Sequence, residues 1–230
     1  LGVLRQMFRI YVLPGEYPAG AVCAHLCEGT APAGPEAVVK VLLSRVRSTL
    51  WAWGAHPQVL RPALGLFWDL STGWAGPVLA HQPEVHGLVG CHRDLLRGEL
   101  AGSCRAHLYR GLAGLLWTSR TPATRFAAFM VPVEELLGRL QTLLLQSAPA
   151  PEVAQVLGDV VRSLRGICWA CTTPQRYRLF LNWLYPGRLD LLRRCFQTQH
   201  QDAHSCTAVL NLLGDLIHEA AGPPHDGEPP

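Results

Sequence analysis

Two cysteines separated by two residues are the first feature of the sequence that could do chemistry. Cys168 and Cys171 form a Cys-Trp-Ala-Cys motif. A redox-active motif of this kind needs a thiolate at the start of a helix that follows a strand, because the positive end of the helix dipole lowers the thiol pKa. Here the apolar periodicity that begins near Glu152 places the motif at the end of a helix. The sequence therefore favours two buried thiols over a redox-active pair.

Two cysteines and two histidines near the C-terminal end could be combined into a zinc site. The candidates are Cys195, His200, His204 and Cys206. The two histidines have the mutual spacing of zinc ligands, but zinc sites usually add cysteines paired at a short, regular spacing. Both cysteines instead fall on apolar faces of predicted helices. The preferred interpretation is a polar loop between two helices, and no metal is predicted.

Five arginines cluster around a predicted turn at Pro186. They are Arg176, Arg178, Arg188, Arg193 and Arg194. A run of charges on a helix is most often a solvated face. The functional alternative is a docking patch for an acidic protein surface, since complementary charge steers and orients association. The residues alone leave both interpretations open.

The sequence contains none of the motifs that mark common catalytic sites. There is no GxSxG, no HExxH, no phosphate-binding P-loop and no GxGxxG beside a predicted strand. We therefore predict that the chain is not an enzyme and that it uses no cofactor. A small helical enzyme or redox protein built on Cys168 and Cys171 is kept as the alternative.

The composition excludes several classes of protein. Hydrophobic residues make up 49% of the 230 residues, whereas charged residues make up 16%, against about 25% in typical soluble domains. The net charge of +3 is too small to indicate nucleic-acid binding. Apolar runs end well before the ~18 residues that a membrane span needs. We expect no membrane insertion, no secretory signal peptide and reduced cysteines, as in nuclear or cytosolic proteins.

Apolar residues recur at helical spacing along most of the chain, and no alternation typical of strands is present. The strongest helices are predicted over 36–53, 57–71, 104–117, 122–147 and 152–171. Further helices are predicted after Thr173, after Pro186 and after a cap at Asp202 or Ser205. The regular part of the second helix is expected to begin near Pro62, and Pro132 is expected to bend or divide the fourth.

The predicted helices are joined by short connections, so consecutive helices should be antiparallel neighbours. Helical pairs recur at roughly the 40–47-residue period of HEAT-type arrays. Because one hairpin cannot bury its apolar face alone, such pairs stack on each other. We predict an all-α, HEAT-like helical-hairpin solenoid over residues 1–221, as a fragment of a longer array, and a disordered tail over 222–230. Apolar faces should be exposed at both ends of the array.

Seven segments, taken in order, resemble a known family. They read QMFRIYVL, VVKVLLSRVRSTLWAWG, LRPALGLFWDLSTGW, HLYRGLAGLL, SLRGICWA, LFLNWLYP and TAVLNLLGDLI. Together they are similar to consecutive helices of the exportin-7 and Ran-binding protein 17 family, in the importin-β (karyopherin-β) superfamily. The collinear order of the segments, from about residue 4 to residue 217, carries the resemblance.

The resemblance implies a nuclear transport receptor. It would mediate Ran-GTP-dependent export of cargo proteins from nucleus to cytoplasm, shuttling through the nuclear pore and contacting nuclear pore proteins. In the superfamily Ran docks mainly on N-terminal repeats that have no counterpart in this sequence, so no residue here is assigned to Ran. The alternative is a helical-repeat scaffold that binds proteins independently of Ran.

Overall fold

The computed structural model of the chain describes Gly2 and residues 35–72, 75–82, 85, 102–118 and 122–221. These ranges form helices and turns, and they contain no strand. The predicted all-α class is therefore confirmed. The segment QMFRIYVL and the tail predicted over 222–230 lie outside the described residues.

The helices agree closely with the predicted segments. They are α1 (Pro35–Ala52), α2 (Pro57–Ser71), α3 (Ala75–Leu79), α4 (Arg105–Thr118), α5 (Pro122–Leu145), α6 (Ala150–Trp169), α7 (Pro174–Leu184), α8 (Gly187–Thr198) and α9 (Ala203–Ala221), with a short 3-10 turn, Gly102–Cys104, before α4. The bounds of the five strongest predicted helices differ from these by about one or two residues, which is the ordinary uncertainty of a helix end.

The expectation that the second helix begins near Pro62 is wrong. Pro62 lies inside α2, which starts at Pro57. A proline in a helix interior costs about 3 kcal/mol because it removes one hydrogen bond and crowds the preceding turn. The burial of Leu60, which is complete, stabilises the helical turn before Pro62 and offsets this cost. Pro132 likewise lies inside α5, which continues past it as one helix.

Polar side chains cap two of the predicted helices. Thr173 precedes α7, and its side chain accepts a hydrogen bond from the Arg176 amide. Of the two candidates before α9, Asp202 is the cap, because its Oδ2 accepts from the Ser205 amide at 2.9 Å. These bonds satisfy amide groups that have no partner within their own helix.

The chain divides into two compact units, Leu1–Phe129 and Met130–Pro230, and the boundary falls inside α5. In the first unit α2 packs on α1, α3 and α4. In the second unit α6 packs on α9, and α7 packs on α8.

The first unit depends on a close approach between α2 and α4. A Cβ atom added at Gly111 would lie 2.3 Å from Cδ1 of Phe67, and one added at Gly114 would lie 2.4 Å from Oγ of Ser71. From Gly111 to Gly114 on α4, the nearest residue on α2 changes from Phe67 to Ser71. Both helices therefore run in the same direction. The paired positions are separated by roughly the 40–47 residues of a HEAT-type repeat. This spacing supports the predicted stacking of helical hairpins.

The second unit is held by two polar contacts to α9. Arg165 of α6 forms an ion pair with Asp215 through Nε and Oδ2, at 2.6 Å, with both side chains largely shielded from water. The hydroxyl of Tyr177, on α7, donates to the carbonyl oxygen of Leu216 at 2.7 Å. The last helix is thereby joined to both α6 and α7.

We expect Gly111→Ala to destabilise the protein, since Phe67 is fully buried and its ring has no room to move. Overpacking a core costs about 1–3 kcal/mol, which exceeds the ~1 kcal/mol that alanine gains over glycine in a helix. The control is Gly138→Ala in α5, where an added Cβ meets nothing within 4 Å. Chemical denaturation should show a lower midpoint for Gly111→Ala and an equal or higher one for Gly138→Ala. Equal midpoints would mean that α2 and α4 do not approach this closely.

Candidate protein-interaction surface

The α7–α8 hairpin is fixed at its turn by one carboxylate of α5. Nη2 of Arg188 donates to Oε1 of Glu134 at 2.5 Å, and Nη1 donates to the carbonyl oxygen of Trp183 at 2.6 Å. Nε1 of Trp183 donates to the same Glu134 oxygen at 3.0 Å. The Arg188 guanidinium also lies over the Trp183 ring, 4.1 Å from its centre. Arg188 is thus engaged inside the unit and its charge is balanced by Glu134.

Arg176 is also engaged within the hairpin. Its Nη1 donates to the hydroxyl of Thr172 at 3.0 Å, and the residue is half-buried. Its backbone amide also donates a hydrogen bond to the hydroxyl of Thr173. The side chain therefore stabilises the start of α7 more than it presents charge to the solvent.

Two further arginines share a single carboxylate on the outer side of α8. Nε and Nη2 of Arg193 donate to Oδ1 of Asp190 at 3.0 and 2.7 Å, and Nε of Arg194 lies 3.4 Å from Oδ2. The hydrogen bond from Arg193, together with the charges of both arginines, lowers the pKa of Asp190. Both arginine side chains remain more than half exposed. One negative charge therefore faces two positive ones.

Arg178 is exposed on α7. Within the described part of the chain it forms no ion pair. The structure thus brings all five predicted arginines onto one hairpin but divides them by role. Arg178, Arg193 and Arg194 face the solvent, whereas the other two are used inside the fold. That the outward set docks an acidic partner stays a prediction.

A second surface, on α9, was not distinguished by the sequence analysis. Leu210, Leu213 and Ile217 are 56, 36 and 71% exposed, and their spacing puts them on one face of the helix. The adjoining face, which includes Leu212 and Leu216, is buried. The sequence signal was the width of the apolar pattern, which covers more of α9 than one packed face needs. This stripe is the kind of exposed apolar face expected at an end of a helical array.

The Cys-Trp-Ala-Cys motif lies where the periodicity placed it. Cys168 is in the last turn of α6 and Cys171 follows the helix, and both are buried free thiols. Sγ of Cys171 donates to the carbonyl oxygen of Ile167 at 3.3 Å. Cys168 thus lies at the carboxyl end of α6, whereas a redox-active motif places its thiolate at the amino end of a helix.

The candidate zinc ligands have other partners. Nδ1 of His200 lies 2.9 Å from the carbonyl oxygen of Gln197. Sγ of Cys206 is directed at the carbonyl oxygens of Gln199 and His200, at 3.7 and 3.5 Å. Burial raises the pKa of Cys195 to about 11. Within the described ranges, no group of histidine, cysteine or acidic side chains has an arrangement that could hold a metal ion.

Comparison with known proteins finds relatives of this all-helical chain. The chain is 24% identical to Ran-binding protein 17 of Mus musculus over 94% of its length. It is 22% identical to exportin-7-A of Xenopus laevis over 95% of its length and 22% identical to human Ran-binding protein 17 over 94%. The chain resembles exportin-7 and Ran-binding protein 17. No family model and no solved structure matches it.

The similarity covers most of this chain but only part of each relative. The chain spans about a fifth of the length of the curated relatives that it matches, 21% for each of the three. The resemblance predicted from seven collinear segments is thereby confirmed, and it lies among transport receptors rather than enzymes. No helix in the described part of the chain combines the length and the hydropathy that a membrane span requires.

Alkylation of the native protein should distinguish structural thiols from reactive ones. Among the described cysteines, half-buried Cys206 should react first, whereas Cys168, Cys171 and Cys195 should react only as the protein unfolds. Because burial raises the pKa of Cys195 to about 11, any native labelling of that residue should increase about tenfold per pH unit up to that value. Mass spectrometry of digested samples reports each site separately. Labelling of Cys168 or Cys171 as fast as that of Cys206, or a disulfide between them, would support the redox alternative.

We expect the α9 stripe to bind a hydrophobic dye. Replacing Leu213 and Ile217 by glutamine should reduce dye fluorescence with little change in stability, because both side chains are exposed. Leu212→Ala is the matched comparison on the same helix, and it should cost about 2–5 kcal/mol because Leu212 is fully buried. If the unmodified chain is monomeric and binds no dye, the stripe is not an open apolar surface.

Proposed function

We propose that this chain is part of a nuclear transport receptor that exports proteins in complex with Ran-GTP. The observation that carries the proposal is the collinear similarity to Ran-binding protein 17 and exportin-7 over 94–95% of the chain. The parallel packing of α2 and α4 supports it, because stacked helical hairpins form the extended surfaces on which such receptors bind partners. In this proposal residues 1–221 are solenoid repeats of a longer array, and 222–230 are a tail.

The proposed mechanism is linked binding without chemistry. Ran-GTP and a cargo protein would each favour the same arrangement of the repeats, so each would raise the affinity of the other. Hydrolysis of GTP in the cytoplasm would remove that coupling and release the cargo. The receptor would contact nuclear pore proteins on its way and would be found in both nucleus and cytoplasm. Free thiols at all five described cysteines accord with those compartments.

The second candidate is a protein-interaction scaffold that does not respond to Ran. It is favoured by the low identity to the relatives, 22–24%, which allows for a change of partners. The exposed arginines and the apolar stripe on α9 would serve a scaffold as well as a receptor.

A capture experiment separates the two candidates. The immobilised chain, and a longer version if its coding sequence extends beyond 230 residues, are incubated with Ran loaded with a non-hydrolysable GTP analogue or with GDP. Mouse Ran-binding protein 17 serves as the positive control. The receptor predicts at least about tenfold more capture of the GTP form, a differential affinity of about 1.4 kcal/mol. Equal capture of both forms in every version would assign the chain to the scaffold class.

A further inference from the structure

We propose that the outward arginines of the α7–α8 hairpin, Arg178, Arg193 and Arg194, bind an acidic segment of a partner protein. The inference rests on the proposed protein-binding function, but it does not require Ran. It assigns a binding surface to the hairpin and a chemical class to the partner, and the comparisons give neither.

The charge of the hairpin is the first step. Between Pro174 and Thr198 the sequence contains five arginines, one aspartate and no lysine, histidine or glutamate. The whole chain has a net charge of only +3. The net positive charge of the protein is therefore concentrated in these two helices. A local excess of one sign attracts ligands of the opposite sign even when the protein as a whole is nearly neutral.

The fold then separates the charges that hold the hairpin from those that face outward. Arg188 is paired with Glu134 and covered on one side by the Trp183 ring. Arg193 and Arg194 share Asp190, the only carboxylate of the hairpin. With Arg178 exposed on α7, three outward guanidinium groups face one carboxylate. Nη1 of Arg193 also donates to Oε1 of Gln197 at 3.3 Å. The remaining N–H donors of the three guanidinium groups are available to a ligand, since each guanidinium has five.

The positions of these arginines suit an extended acidic segment. α7 and α8 are joined by the short turn Tyr185–Pro186 and pack on each other. Arg178 and Arg194 are about equally far from that turn along the chain, so the antiparallel arrangement expected of helices with so short a connection would place them at about the same height. Asn182 and Tyr185, also exposed, continue the face of Arg178 toward the turn. An exposed tyrosine at its edge adds an aromatic contact of the kind that often dominates protein interfaces.

Carboxylates fit this surface better than phosphates of a nucleic acid do. Guanidinium groups bind carboxylates through two parallel hydrogen bonds. A nucleic-acid site usually neutralises more phosphates, about 6–10, along a longer basic stripe. Outside the hairpin the chain has no net positive charge that could extend the stripe. Binding through three exposed arginines should be weak and strongly sensitive to salt.

The test compares two triple charge reversals in the full chain. The first is Arg178→Glu, Arg193→Glu and Arg194→Glu. The control is Arg125→Glu, Arg139→Glu and Arg162→Glu, which changes the net charge equally at exposed or half-exposed arginines outside the hairpin. Arg139 is as exposed as Arg193, at 60% of its side chain. Circular dichroism and a thermal melt check that both variants fold.

Binding is measured by fluorescence anisotropy with a labelled oligoglutamate peptide, at about 0.1 M and about 0.5 M salt. We expect about tenfold or greater loss of affinity in the hairpin variant, a loss within about twofold in the control, and weaker binding at the higher salt. A single-stranded RNA of equal charge should bind more weakly than the peptide.

Three results would overturn the proposal. They are an unchanged affinity in the hairpin variant, an equal loss in both variants, and tighter RNA binding that the hairpin variant abolishes. If the hairpin variant does not fold, Arg178→Glu alone is compared with Arg139→Glu, with about a twofold or greater loss expected only in the first. Capture of Ran by the unmodified chain tests the proposed function separately, so either proposal can fail without the other.

Discussion

A helical hairpin cannot bury its own apolar face, and the described part of this protein is organised by that constraint. In the first unit it is met by the parallel contact of α2 and α4, where Gly111 and Gly114 let Phe67 and Ser71 approach the backbone. In the second unit α6 packs on α9, and the ion pair of Arg165 with Asp215 fixes the contact. On the face of α9 that no described helix covers, apolar side chains are exposed.

The surfaces left by this packing accord with the proposed binding function. Cys171 donates to a carbonyl oxygen, and burial raises the pKa of Cys195 to about 11, which disfavours a thiolate at Cys195. Exposed arginines lie on α7 and α8, and an exposed apolar stripe lies on α9. These surfaces accord with the proposed function, in which partners are bound through several weak contacts spread along the chain.

Much of the fold could be predicted because helix formation is a local event. Periodicity placed the main helices within about two residues, and side-chain caps marked the starts at Thr173 and after Asp202. Pro62 was misjudged because the local cost of a proline was weighed without the burial of Leu60, which depends on neighbouring helices. An exposed apolar face was expected at each end of the array, but its residues on α9 were not named, since an apolar pattern does not show which of its residues meet another helix.

The sequence by itself determined the helices, their caps, the end-of-helix position of Cys168 and the similarity to exportin-7 and Ran-binding protein 17, because each is expressed in neighbouring residues or in their order. Only the tertiary structure decided which arginines present their charge. Arg188 is balanced by Glu134, 54 positions away in the chain, whereas Arg193 and Arg194 depend on the nearby Asp190. Charge is a property of a residue, but its availability to a partner depends on what the fold brings next to it.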